Sequence, residues 1–120
     1  MGFGDVAESV VPKFGLLAPP VKGGAITGRY FMPWKTHPSF AVTGSICVSA
    51  CLLASGTVAE GMADLPAAMP APLKIEHPSG TIDVVVDWSQ EDGQFQLKSA
   101  GLLRTARKLM SGQIHVPDIN

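Results

Sequence analysis

Thr43, Gly44 and Ser45 stand at the head of an apolar stretch with helical spacing, and together they suit an anion. A helix N-terminus leaves backbone N–H groups without partners and carries about half a positive charge. Gly44 lets a ligand approach the backbone closely, and the two hydroxyls add donors. A carboxylate or a phosphate is the ligand such a turn takes. Ordinary helix capping uses the same residue types, so the local pattern leaves both readings open. His37 lies six residues before Thr43 and can face the same pocket as acid, base or carboxylate donor. It is the auxiliary catalytic candidate, and a surface-turn histidine is the alternative. His77-Pro78-Ser79-Gly80 is a tight turn. It either brings the Ser79 hydroxyl and the Gly80 N–H to a ligand or simply closes a hairpin. Arg29 can pair bidentately with a carboxylate or stand solvated on its strand. Arg104 and Arg107 read as surface charge.

These candidates need elements to hold them. Residues 1–24 are punctuated by Pro12, Gly15, Pro19, Pro20, Gly23 and Gly24, and read as an extended connector with one or two short strands. Residues 25–32 (AITGRYFM) read as a strand, and Pro33 and Pro38 bracket a turn. A helix follows over about residues 44–54, with Thr43 as N-cap and Gly56 as C′ residue. Ile46, Ala50 and Leu53 make one stripe, Cys47, Cys51 and Ala54 a second, and Val48 with Leu52 a third. A helix apolar on all sides is buried in a core or spans a membrane. About eleven residues are too few to cross a hydrocarbon layer of roughly 30 Å, which favours the core. A Pro/Ala/Met-rich loop over 60–72 leads to strands over 74–77 and 80–88, a polar turn over 89–93, and a paired strand around Phe95, Leu97 and Ser99. Residues 103–110 have helical propensity, whereas 112–117 read as strand.

Bulk properties narrow the function classes. The 120 residues suffice for one modest core, and the net charge of −1 does not suggest nucleic acid or an anionic membrane as partner. Cys47 and Cys51 share a helix face with no His or carboxylate near them in sequence, so they read as buried thiols of a reducing compartment and no metal site is expected. The first residues lack the order of a secretory signal. A cytoplasmic location is therefore expected. No Ser/His/Asp set, P-loop or dinucleotide fingerprint is present.

Four strings occur in order: MGFGDVAESVVPK, GGAITGRYFMPWKTHPSFAVTG, IEHPSGTIDVVV and RTARKLMSGQIHVP. Together they resemble the C-terminal part of the 2-methylaconitate cis-trans isomerase (PrpF) family, over essentially the whole chain. The resemblance implies an α+β fold, one lobe of a diaminopimelate epimerase-like architecture. In it a mostly antiparallel or mixed sheet wraps a central buried helix, here residues 44–54, and 103–116 become strand. Residues 1–24 would then connect from an N-terminal lobe, and 25–120 would form the C-terminal lobe.

The implied chemistry is a cofactor-free allylic proton shift, or cis-trans isomerisation, of a small unsaturated di- or tricarboxylate. Thr43, Gly44 and Ser45 would hold a carboxylate, with His37, Ser79 and Gly80 as neighbours. In the epimerases a catalytic cysteine precedes the helix-start motif; Ala41 takes that position here. The catalytic lysine and cysteine proposed for the family fall in an N-terminal part outside this chain. The lobe is thus expected to be inactive alone and to partner a missing lobe or a second copy of itself. The alternative is a non-catalytic, single-lobe protein that binds carboxylates or self-associates.

Overall fold

The computed structural model describes residues 2–68 and 70–117. Met69, inside the expected loop, and residues 118–120, at the end of the expected lobe, lie outside the described residues. The order is β1 (Phe14–Ala18), β2 (Ile26–Met32), β3 (Lys35–Thr36), α1 (Val42–Leu53), β4 (Ala71–His77), β5 (Gly80–Glu91) and β6 (Gln94–Leu102). The strands form one mixed sheet in the order β1-β2-β4-β5-β6, with β3 folded back on β2. It curls as a half-barrel about α1, the α+β architecture expected.

Period-two alternation sets the faces. Ile26, Gly28 and Tyr30 of β2, Leu73 and Ile75 of β4, and Ile82, Val84 and Val86 of β5 are buried toward the helix side. They pack with Phe40, Leu52, Ala59 and Ala71 as the core. Each large aliphatic side chain buried there contributes about 1.5–3 kcal/mol. The β5–β6 hairpin closes on Asp92 (φ 51°) and Gly93 (φ 78°). Left-handed backbone at both central residues makes this the tight turn that suits strand twist. The expected polar turn therefore shrinks to two residues, and the strands run on to Glu91 and from Gln94.

The helix starts earlier than its sequence pattern indicated. Ala41, in extended backbone, is the N-cap, and no side chain caps the end. Thr43 therefore lies inside the first turn rather than at its cap. The sheet covers one side of α1, burying Gly44, Ser45, Ser49 and Leu52. Small residues on that stripe let the helix axis lie close to the strands. Val42, Thr43 and Cys47 face away and are exposed, and Cys51 is half-buried. Cys47 is thus not the buried thiol expected, because a half-barrel covers only part of a helix's circumference. Among the described residues no helix is long and apolar enough to cross a membrane.

Residues 103–117 form neither the helix of local propensity nor the strand implied by resemblance. Apart from the bond from the Leu103 N–H to the Asp83 carbonyl (3.0 Å), they pair with no strand among the described residues, and they are exposed.

The sheet has one weak seam. β2 and β4 are parallel neighbours through only two register pairs, Ile26–Ile75 and Thr27–Glu76. The Ala25 N–H adds a bond to the Lys74 carbonyl at 2.7 Å. Glu76 reinforces this seam from the face away from the helix. The segment between β1 and β2 folds back over it, leaving it 2% exposed. Oε1 accepts the N–H groups of Lys22 (2.6 Å) and Gly24 (2.8 Å). Oε2 accepts the Val21 N–H (3.0 Å) and the Thr27 hydroxyl (2.7 Å). Gly24 is required there, since a Cβ would lie 2.6 Å from Glu76 Cγ.

The Val21 N–H first, then the Thr27 hydroxyl, hold the carboxyl at about 2 instead of its ordinary 4.5, against the opposing effect of burial. Because the folded value is the lower one, the stabilisation is complete above pH 4.5 and is lost as pH falls toward 2. Glu76→Gln replaces an acceptor with an amide NH₂ facing donors. It should lower the melting temperature at pH 7 by several degrees and flatten the acid limb between pH 4.5 and 2. Thermal melts of both chains across that range check this.

Candidate functional site

The sequence candidates come from both halves of the sheet. After β2 the chain turns at Pro33-Trp34, and β3 pairs back on it through Phe31–Thr36 and Met32–Lys35. The His37 N–H continues the pairing to the Tyr30 carbonyl at 2.8 Å. This sets the His37 ring edge-on to the Tyr30 ring, with centroids 6.3 Å apart. The Ser39 N–H donates to His37 Nδ1 at 3.0 Å, and the Ser39 hydroxyl lies 3.5 Å from the same nitrogen. Phe40 then enters the core beside Tyr30, its ring 5.3 Å away, and α1 begins.

The second half contributes the β4–β5 turn. The Ser79 N–H donates to His77 Nδ1 at 3.2 Å. Gly80 closes the turn at φ 137°, backbone that L side chains rarely adopt. The Ser79 hydroxyl donates to the Pro38 carbonyl at 2.5 Å. That bond joins the turn that holds His37 to the turn that holds Ser79 and Gly80. The same bond commits the hydroxyl proton of Ser79.

The helix start reaches this group through Tyr30. Gly44 lies directly on the Tyr30 ring, where a Cβ would sit 2.5 Å from Cε2. Its lack of a side chain serves helix–sheet contact, a role the sequence did not indicate. Ser45 is also turned inward: fully buried, with its hydroxyl donating to the Val42 carbonyl at 2.7 Å. The first N–H engaged within the helix is that of Ser45, to the Ala41 carbonyl at 2.8 Å. The N–H groups of Val42, Thr43 and Gly44 thus have no helical acceptor. Thr43 is exposed among them. Thr43 and the backbone, more than Gly44 or Ser45 side-chain positions, are what this turn offers an anion.

Cationic character surrounds the turns. Burial holds the His77 imidazole below its ordinary value, the nearby Thr81 carbonyl opposes this, and the charges of His37, Arg104 and Arg29 add to the lowering. Arg29 is exposed on the face away from the helix, where Nη1 bonds the Gly28 carbonyl at 3.3 Å. It borders a cavity of about 280 Å³ with Lys22, Thr27 and His77. A larger cavity, about 450 Å³, lies at the Gly24, Lys74 and Asp83 end, and none of the sequence candidates lines it. Among the described residues no three His, Cys, Asp or Glu side chains group as a metal site.

Tyr30 and His77 were not singled out from sequence. His77 had a signal: His-Pro-Ser occurs at 37–39 and again at 77–79. Tyr30 had only its place on an inward strand position.

The family described as PrpF protein matches residues 2–117. The chain is 41% identical over 117 residues to YbhH of Escherichia coli (strain K12), covering 98% of this chain and 32% of that protein. It is 41% identical over 116 residues to the (4E)-oxalomesaconate Delta-isomerase of Novosphingobium sp. (strain KA1), covering 97% and 32%. The crystal structure of a methylitaconate-delta-isomerase superposes with a TM-score of 0.63 at 18% identity, over 82% of this chain and 30% of that one, a likeness of fold. The chain thus spans 32% of the length of these curated relatives.

The Gly44–Tyr30 contact makes a direct prediction. Gly44→Ala forces the ring or the helix to move and should cost about 1–3 kcal/mol in urea unfolding. In a Tyr30→Ala background the same change should cost less. Equal costs in both backgrounds would show that Tyr30 is not the neighbour that demands glycine.

Proposed function

The chain belongs to the PrpF protein family, and on that premise we propose that it is the C-terminal lobe of a cofactor-independent isomerase of small unsaturated di- or tricarboxylates. The reaction is an allylic proton shift or a cis-trans isomerisation, on a substrate of the aconitate, methylaconitate or oxalomesaconate type. Relatives named as acting on oxalomesaconate and 2-methyl-aconitate support that substrate class. The observation that carries the reading is the bond from Ser79 to the Pro38 carbonyl, which brings two turns from different halves of the sheet together near an open helix start.

In such a reaction a base removes a proton beside a carboxylate, and an acid returns one at the far end of the allylic system. Negative charge spreads over the substrate between those steps, and donors aimed at its carboxylates lower the barrier. This lobe supplies donors: the N–H groups at residues 42–44, the Thr43 hydroxyl and the His37 imidazole. Ser79 and Gly80 hold the neighbouring turn. Burial of Ser45 and the Tyr30–Gly44 contact keep the helix start where it is. His37 is the auxiliary acid or base, and the principal proton-transfer groups come from the lobe that this chain does not include.

A second reading rests on exposed apolar side chains, among them Phe14 and Leu16 on edge strand β1 and Leu109, Met110 and Ile114 in 103–117. They suit a protein that self-associates and binds carboxylates without turnover.

Three assays separate these. The chain alone should bind citrate weakly and turn over no cis-aconitate, and adding the N-terminal part of a relative should produce turnover. His37→Gln and Thr43→Val should each weaken citrate binding about 10-fold or more, the loss of one hydrogen bond to a charged group. Sedimentation reports association. Turnover by the 120 residues alone, or citrate binding indifferent to both substitutions, contradicts the proposal.

A further inference from the structure

His-Pro-Ser occurs twice, and the two copies fold alike. In each, the serine N–H bonds to Nδ1 of its own histidine, at 3.0 Å for Ser39 and 3.2 Å for Ser79. A ring nitrogen that accepts a hydrogen bond carries no proton, so the neutral ring holds its proton on Nε2. The prolines have no N–H to compete with the serine for that acceptor. The copies differ in burial: His77 is 8% exposed, His37 half-buried at the edge of Tyr30.

They are also linked. His77 Nδ1 fixes the Ser79 backbone, and the Ser79 hydroxyl reaches the Pro38 carbonyl of the other copy. The charges of His37, Arg104 and Arg29 act on His77, and Lys22 and Glu76 line the same cavity.

We infer that the two turns act as one carboxylate-binding element, with His37 Nε2–H as the donor and His77 as the positioning residue that sets the His37 turn through Ser79 and Pro38. This deepens the proposed function and rests on its carboxylate site. Both turns must keep their Nε2–H tautomers for the element to work. A proton on Nδ1 of either ring would face a serine N–H, and the turn would open.

Long-range nitrogen–proton spectra of the labelled full chain read each tautomer directly, with His115, exposed in 103–117, as internal control. At pH 7.5 His37 and His77 should show Nε2–H patterns and His115 the averaged pattern of a free ring. Citrate should shift His37 and leave His115 unchanged. His77→Leu, which removes the acceptor, should weaken the citrate response at His37 about 10-fold. His77→Asn, whose side-chain oxygen can accept the Ser79 N–H, should stay within about threefold. Ser79→Ala breaks the link without touching His77 and should act like His77→Leu, which keeps the test intact if the leucine variant fails to fold.

Nδ1–H tautomers in either turn would overturn the inference. So would a citrate response at His37 that neither His77→Leu nor Ser79→Ala alters. If the tautomers are as inferred but citrate moves neither ring, the carboxylate site itself fails, and the inference with it.

Discussion

The Glu76 carboxylate is the constraint on which the sheet depends. The sheet is two antiparallel pieces, β1-β2-β3 and β4-β5-β6, joined by a parallel contact of two register pairs. A junction so short gains little from its own ladder. Glu76 adds four hydrogen bonds across it, three from the 21–24 backbone and one from Thr27 on the neighbouring strand. The charge is buried, yet both oxygens are fully engaged, so its desolvation is offset where an unpaired carboxylate's would not be.

The candidate site inherits that junction. His37 follows the first piece and Ser79 belongs to the second, so their meeting is set by how the two pieces are joined. The helix is the crossover between them. Its first turn is seated by Gly44 on Tyr30, and Tyr30 also faces His37 and Phe40. One aromatic ring therefore relates the helix start to the first turn, and one serine hydroxyl relates the first turn to the second. On the side the sheet does not cover, α1 keeps Val42, Thr43 and Cys47 exposed.

Much of this was legible in the sequence where the cause is local. Alternation in β2, β4 and β5 gave the strands and their inward residues, and the uncharged run marked the helix. Its cap was misplaced because a Thr before a helical pattern looks like an N-cap, whereas the Ser45 N–H closes its turn on Ala41. Glu76 could not be read: on an alternating strand it falls on the outward face, and only the distant 19–24 segment buries it. Gly44 was visible as a glycine, but its reason was not, since the ring it accommodates comes from another strand. The repeated His-Pro-Ser was in plain view, yet a tripeptide means little until both copies are seen to fold alike. Residues 103–117 had conflicting propensities, and no strand among the described residues pairs with them to decide between the two.

The meeting of these two turns at the helix start is the proposed place for a carboxylate. A crystal structure of the chain grown with citrate tests that most directly. It should show a carboxylate within hydrogen-bonding distance of His37 Nε2 and of the Thr43 hydroxyl or N–H, with the Ser79–Pro38 bond intact. Citrate ordered instead in the cavity beside Lys74 and Asp83, with His37 and Thr43 untouched, would contradict it.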